Sequence, residues 1–227
     1  MGIVMNEMIN SEVDNKNIGL AKNLWRLRQA LDVHCLIFAN WEAIKNRGIG
    51  RKFFSFLEML CQHLIVLCIC KVFETEKIDK QGKVKYDLDS IEGVLRAIDN
   101  KKVVMLDAAS VRDFVRKYGG ASDKNEILAI SSVVEKFKGE YSEALDRFQT
   151  LRDKWVAHGE SEFVPKDAPS YDIMERLFNF GLDFYSLVSR MFIFTVPDDL
   201  NRNREVKASL KRVLKELGFE DIRTEME

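Results

Sequence analysis

The sequence predicts an all-α fold, a helical bundle of about six to seven helices. Two properties of the 227-residue chain favour helices: 46% of the residues are apolar, and only three are proline. Apolar side chains also recur at spacings of three and four residues along most of the chain, whereas the alternating pattern of strands is rare. A chain of this length suits one domain with a sizeable hydrophobic core.

Four helices are predicted in the N-terminal half of the chain. The segment 46–50 (NRGIG) ends the first, and Gly119 and Gly120 end the fourth. The second is apolar almost all round, which is typical of a helix at the centre of a bundle. A polar loop at 79–85 separates it from two shorter helices. The four predicted helices run from about 16 to 45, 51 to 74, 88 to 100 and 107 to 118.

The fifth predicted helix has the most regular apolar pattern. Its spacings alternate between three and four over more than four turns, which is typical of a coiled-coil-like seam. The seam predicts that this helix packs lengthwise on a neighbour, either in the same chain or in a second copy. The seam consists of Ile127, Ile130, Val134, Phe137, Tyr141, Ala144, Phe148, Leu151 and Trp155.

Two more helices are predicted near the C-terminus. An apolar helix covers about 172–194 and is stopped by Pro197, and an amphipathic helix covers about 204–217. The amphipathic helix turns Val206, Leu210, Val213, Leu214 and Leu217 inward. Its basic stripe is interpreted as a solvated face or, alternatively, as a contact for RNA or a partner. The stripe consists of Arg204, Lys207, Lys211 and Lys215.

We therefore predict a helical domain over residues 1–197 and, over residues 198–227, a C-terminal amphipathic helix packed on that domain. The start of the chain lacks the basic region and long apolar core of a signal peptide. Its most apolar segment, 64–73, is interrupted by Lys71 and is shorter than the roughly 20 residues that cross a bilayer. We expect a cytoplasmic protein without a membrane contact.

Charge and cysteine content narrow the possible functions. A formal net charge of −1 argues against a general nucleic-acid coat, so any RNA contact must come from a local basic patch. The cysteines lie in apolar helical context and match no zinc-ligand pattern, so we interpret them as reduced core residues. They are Cys35, Cys61, Cys68 and Cys70. We predict neither a metal site nor a cofactor.

The run 151–159 (LRDKWVAHG) carries the most chemistry. Arg152 offers a planar charge that clamps phosphate through paired hydrogen bonds, and His158 can take and give a proton near pH 7. Asp153 stands beside the arginine, and Gly159 is a natural helix stop. Six positions of an ideal helix give about 600° of rotation. The two side chains therefore share a site only if the helix loosens near 157–159 or if the arginine works with a partner's histidine.

A second pair, Arg28 and His34, has the same spacing in a different context. Nothing near it ends the predicted helix or opens a site. We therefore interpret Arg28 as structural, and His34 and His63 as core or boundary histidines. The bare spacing of arginine and histidine is not sufficient to identify a catalytic site.

Around Arg152, Asp153 and His158, the sequence resembles the HEPN superfamily, and more closely its abortive-infection phage-resistance branch of the Abi U type. Proteins of this superfamily carry an arginine, commonly followed by Asn, Asp or His, and a histidine after a short spacer. The resemblance implies a helical domain that often dimerises. It also implies a metal-independent RNA endonuclease, although some members are inactive and serve as partners or scaffolds.

The resemblance implies cleavage by attack of an RNA 2′-hydroxyl on the adjacent phosphate, which leaves a 2′,3′-cyclic phosphate. His158 would act as base or acid, and Arg152 would stabilise the charged phosphorane. Asp153 would orient Arg152 or set the histidine tautomer. Two proton-transfer roles favour a homodimer with two His158 side chains in one groove. A phage-defence or toxin effector of this kind would have RNA as its substrate and possess a cognate antitoxin or inhibitor protein.

Two other classes of function stay open at this point. The first is a non-catalytic HEPN-like module that binds nucleotide, RNA or a protein partner. The second is a purely structural dimer, which would explain the seam but not the motif. The presence of both Arg152 and His158 favours the ribonuclease.

Overall fold

The computed structural model describes residues 2–48, 50–75, 88–100, 108–120, 125–157, 168–192 and 205–225. Nine α-helices, one π-helical segment and no strand occur within these ranges. The predicted all-α fold is confirmed, with a helix count slightly above the expected six to seven. The elements are α1 (Gly2–Ala39), α2 (Trp41–Arg47), α3 (Arg51–Phe73), α4 (Ile91–Asn100), α5 (Ala108–Lys117), α6 (Glu126–Glu140), α7 (Ser142–Leu151), the π segment (Arg152–Ala157), α8 (Tyr171–Phe192) and α9 (Glu205–Glu216).

The first predicted helix was wrong in its extent, because it is interrupted at Asn40. The buried Asn40 side chain donates from Nδ2 to the carbonyl oxygens of Leu36 and Arg223, both at 2.8 Å. Its Oδ1 accepts from the Arg223 backbone N–H at 3.0 Å. These bonds satisfy a buried amide and attach the C-terminal segment to the end of α1. Gly48, with a φ of 70°, then ends α2, as the NRGIG segment predicts.

The fifth predicted helix is divided into α6, α7 and the π segment. Tyr141 separates the two α-helices with a φ of −104° and a ψ of 16°. Its ring lies 4.6 Å from that of Phe137, which stacks on Phe180 of α8 at 3.7 Å. The apolar pattern continues through the break because both helices bury it against the same core.

The seam packs within the chain. Its α6 residues Ile130, Val134 and Phe137 and its α7 residues Phe148 and Leu151 are buried, while both ends of the seam are half-buried against the core. α7 lies along α3, and α6 contacts α4 and α5. The seam was predicted to pack on a neighbour in the same chain or in a second copy. In the structure it packs on helices of the same chain.

At the centre of the bundle, α1 packs against α3 and α8. Gly181 allows the close approach of α8, because a Cβ atom there would lie only 2.8 Å from Leu24 Cδ2. α9 also packs on α1, with Leu210 and Leu214 buried. Val206 and Leu217 are half-buried against the core, as predicted, whereas Val213 was predicted to face inward but is 46% exposed.

α3 has two different halves. Its C-terminal half is mostly buried, as predicted, but four large apolar side chains of its N-terminal half are exposed by 38–59%. We call them the apolar face of α3: Phe53, Phe56, Met59 and Leu60. Within the described ranges, α3 alone has the length and apolar composition to cross a membrane, a test that core helices of soluble proteins also pass. The prediction that 64–73 is too short considered only part of this helix.

All four cysteines are free and buried, as predicted. Burial raises the pKa of Cys61 and Cys70 to about 12 and that of Cys68 to about 11. These three thiols therefore stay protonated at neutral pH. The predicted loop at 79–85 and the stop at Pro197 lie outside the described residues.

Candidate functional site

Arg152 lies at the junction of α7 and the π segment, and two carboxylates position its guanidinium. Its Nε donates to Asp153 Oδ1 at 2.8 Å, and its Nη1 lies 3.6 Å from Glu74 Oε1. The hydrogen bond to Asp153 is the main cause that raises the pKa of Arg152, so the side chain keeps its charge. The side chain is 30% exposed. It therefore combines a fixed direction with access for an anion.

The chain widens into a π-helix from Arg152 to Ala157. A π-helix bonds residue i to i+5 and has about 4.4 residues per turn, and such turns occur frequently at functional sites. The sequence predicted a loosening near 157–159, whereas the structure begins it five residues earlier. His158 and Gly159 lie outside the described residues. The structure thus brings Arg152 and Asp153 together and leaves the position of the predicted histidine open.

A different histidine lies beside this turn. The ring of His63, on α3, meets the ring of Trp155 edge to face, with centroids 4.2 Å apart. Burial lowers the pKa of His63, and its Nε2 atom is buried without a hydrogen-bond partner among the described residues. A neutral imidazole therefore supports Trp155. Because its ring packs on Trp155, His63 lies at the boundary of the core and helps to position the turn.

A cavity of about 480 Å³ opens beside Trp155. Its wall is largely aromatic and aliphatic, with Phe148 and Tyr171 among its residues and with His34 and Gln62 as polar members. His34 Nδ1 is hydrogen-bonded to Glu58 Oε1. The size and lining are those of a small-molecule or nucleotide pocket.

The Arg28 pair occupies a different setting. Arg28 lies within α1, with Nη2 2.7 Å from Asp32 Oδ1 and Nη1 3.3 Å from Glu175 Oε1. Its guanidinium also lies 5.5 Å from the ring centroid of Phe178. Both ends of the guanidinium are occupied by acids of the same chain, which agrees with the structural interpretation of Arg28.

No pattern in the sequence indicated Glu74 or the contact of His63 with Trp155. Glu74 follows the end of α3, and no local pattern connects it to a motif 78 positions later. The contact arises only because α7 packs along α3. Trp155 did carry a signal, because it is the last member of the seam, but the side chain that faces it came from another helix.

No three His, Cys, Asp or Glu side chains come together as a metal site would require, as far as the described residues extend. The carboxylates of Asp153 and Glu74 are already engaged with the Arg152 guanidinium. Metal-independent chemistry therefore stays a prediction at this site.

Comparison with known proteins gives one match. The model of the HEPN AbiU2 family matches residues 20–218, a range that contains the whole Arg152 motif and every described helix after α1. No curated protein and no solved structure matches the chain. Since the family model covers most of the 227 residues, the chain belongs to the HEPN AbiU2 family and is a HEPN-type abortive-infection module.

Proposed function

We propose that this HEPN module is a metal-independent RNA endonuclease that acts in phage defence or as a toxin. One observation carries the proposal. A permanently charged, partly exposed Arg152 is held by Asp153 and Glu74 at the start of a π turn, and a histidine follows that turn in the sequence. This combination supplies an anion clamp and, six positions later in the chain, a proton-transfer group.

The reaction requires these side chains, RNA and one further acid. His158 removes the proton of a ribose 2′-hydroxyl, and the 2′-oxygen forms a bond to the adjacent phosphorus. The bond from phosphorus to the 5′-oxygen breaks, and a second acid protonates that oxygen. Arg152 stabilises the negative charge of the phosphorane. The 3.6 Å separation between Arg152 and Glu74 is loose enough for a phosphate oxygen to compete for the guanidinium.

The second acid is supplied by His158 of a second copy, so the active species is a homodimer. The seam is buried within the chain and is not available for this contact. The apolar face of α3 is available, and Leu60 lies one helical turn before His63, the residue that contacts Trp155. A two-fold contact across this face therefore brings the ends of two π segments towards each other.

The size of this face agrees with a dimer contact. Its four side chains expose on the order of 400 Å² of apolar surface, since a large aromatic side chain presents about 150–250 Å² in full. A standard interface takes roughly 800 Å² from each partner and has an apolar centre with a polar rim. The face would provide that centre.

We expect Phe56→Glu with Leu60→Glu to convert the dimer into a monomer, because two charges would be buried at its centre. Sedimentation or light scattering measures the mass, and cleavage should fall with it. Leu128→Glu is the control, since Leu128 of α6 is 56% exposed and Phe56 is 55% exposed. A wild-type monomer that cleaves RNA would exclude the composite site.

A second candidate function is a non-catalytic module that binds nucleotide, RNA or a protein partner such as an antitoxin. The cavity beside Trp155 favours it, because an aromatic lining with a few polar groups fits a nucleotide base. In either case we propose that the protein acts in the cytoplasm, where its RNA or inhibitor partners occur.

An RNA-cleavage assay with end-group analysis separates the two candidates. We expect wild-type protein to cleave in EDTA and to leave 2′,3′-cyclic phosphate ends. His158→Ala should lower the rate about 10²–10⁴-fold, the usual loss for a general acid–base group. Circular dichroism checks that the variant is folded. Equal cleavage by both proteins would indicate another site or a contaminating nuclease, and would favour the binding module.

A further inference from the structure

A basic groove lies between α1 and the end of α3, separate from the apolar face. Lys22 and Arg26 line it from α1, and Lys71 lines it from α3; all three side chains are exposed, and the groove has a volume of about 410 Å³. Arg26 and Lys71 both act to lower the pKa of the Cys68 thiol, against the larger effect of burial. Two cations from different helices therefore approach the same point of the core. In a chain with a net charge of −1, this is a local concentration of positive charge.

Two exposed apolar side chains lie beside these cations on α1: Ile18 lines the groove, and Trp25 stands at its edge. Trp25 is 40% exposed and Ile18 is 46% exposed. Together with Lys22 and Arg26 they follow the spacing of three and four that places residues on one face of a helix. An exposed aromatic ring beside a basic groove is typical of proteins that bind single-stranded nucleic acid, because the ring stacks on a base while the cations contact phosphates.

The groove ends at the candidate catalytic arginine. Glu74 belongs to its wall, and the same carboxylate is the ion-pair partner of Arg152. The wall also contains Asp89, whose carboxylate lies so close over Gly19 that a Cβ atom there would be 2.2 Å from it. Counting Arg152 and its partner Asp153, four cations face three carboxylates, so a phosphate chain along the groove meets a net positive surface.

We propose that this groove binds the backbone of single-stranded RNA, that Trp25 stacks on one of its bases, and that the strand continues to Arg152. The proposal rests on the proposed ribonuclease function and adds where its substrate lies. The path is formed by side chains of one protomer, so it is present in each copy of the dimer.

The experiment measures binding to a labelled single-stranded oligonucleotide that is 2′-O-methylated at every ribose and so cannot be cleaved. The test variant combines Lys22→Ala, Arg26→Ala and Lys71→Ala. The matched control combines Lys207→Ala, Lys211→Ala and Lys215→Ala on α9, which removes the same charge from the other basic stripe. Fluorescence anisotropy gives the affinity at several salt concentrations.

We expect the test variant to bind at least tenfold more weakly and to reduce the slope of log affinity against log salt by about 2, since each phosphate contact contributes about 0.7 for a single strand. The control should stay within twofold of wild type. Trp25→Ala should weaken binding about 5- to 100-fold, as loss of one base stack does, and Trp25→Phe should restore most of it.

Three outcomes would each overturn the proposal that this groove binds RNA. They are equal losses of affinity in the two triple variants, an unchanged salt slope in the test variant, and no binding by wild type. These outcomes are distinguishable from failure of the enzyme function. If wild type binds with the expected slope but does not cleave unmodified RNA, the groove stands and the nuclease does not. If cleavage and binding of RNA are normal in the test variant, the nuclease stands and the groove does not.

Discussion

Arg28 and Arg152 each precede a histidine by six positions, yet their surroundings are opposite. Arg28 lies within a regular α-helix with a side chain 16% exposed, and its two acidic partners come from α1 and α8. Arg152 opens a π turn with a side chain 30% exposed. Its hydrogen-bonded partner Asp153 is itself 61% exposed. The Arg28 guanidinium connects two helices, whereas the Arg152 guanidinium is held in one direction by its acidic partners and stays accessible.

Availability of the cation, and not its spacing from a histidine, therefore distinguishes a site from a structural pair. A phosphate at Arg28 would have to displace two carboxylates, one of which, Asp32, is 3% exposed, at the cost of an unpaired buried charge. At Arg152 it would compete with one loose contact and one solvated neighbour. Solvated ion pairs contribute little energy, so little is lost when a substrate replaces them.

The largest expected effect is on cleavage. Arg152→Ala should lower the rate per folded molecule at least about 10²-fold, because removal of a preorganised group that stabilises developing charge has this effect. Arg152→Lys should also be poor, since an ammonium cannot form the paired contact. Arg28→Ala, matched in residue type and spacing, should retain the wild-type rate once corrected for the folded fraction.

Initial rates on the same RNA, with folding measured in parallel, test this pair of variants. Abolished cleavage in a folded Arg28→Ala protein would mean that the wrong pair had been chosen. Full activity in Arg152→Ala would remove the proposed clamp.

The next largest expected effect is on stability. Here Arg28→Ala should lose more than Arg152→Ala, the reverse of their order for cleavage. Arg28→Ala should lower the free energy of unfolding by about 2 kcal/mol, because it leaves buried Asp32 without its partner. Arg152→Ala should lower it by less than about 1 kcal/mol, as expected for a more exposed pair. Urea denaturation gives both values. A larger loss for Arg152→Ala would identify this residue as primarily structural.

The sequence predicted the helical fold well because apolar spacing reports burial directly. α3, α4, α5 and α8 begin and end close to their predicted positions. The prediction from sequence failed where a distant contact determines the backbone. α1 is interrupted at Asn40, whose side chain binds the backbone of Arg223, 183 positions later. The predicted burial of α3 was wrong in its N-terminal half for a related reason. The composition of the helix cannot indicate which of its halves has a neighbour.

The candidate site was predictable in part. Arg152 and Asp153 are sequence neighbours, so their hydrogen bond follows from the motif, and the need for a loosened helix follows from helical rotation. Glu74, His63 and the basic groove depend on how α1, α3 and α7 pack together. No spacing within one segment contains that information.

The smallest expected effect is a pH dependence of stability that arises from His63, beside the Arg152 turn. Burial holds the pKa of His63 below its ordinary value of 6.5, so the unfolded chain binds its proton more readily than the folded one. The contribution of neutral His63 to stability is therefore complete above about pH 6.5 and is lost as pH falls through the folded pKa.

His63→Phe keeps an aromatic ring against Trp155 but cannot be protonated. We expect the difference in unfolding free energy between variant and wild type to grow in favour of the variant between pH 7.5 and 5. Burial raises the pKa of Asp14, which has the opposite dependence on pH, but that residue is present in both proteins and cancels in the difference. A pH-independent difference would mean that protonated His63 is accommodated at the turn, for example by movement of Trp155 away from α3. Trp155 fluorescence, measured in a variant with Trp25→Phe and Trp41→Phe, would detect that movement directly.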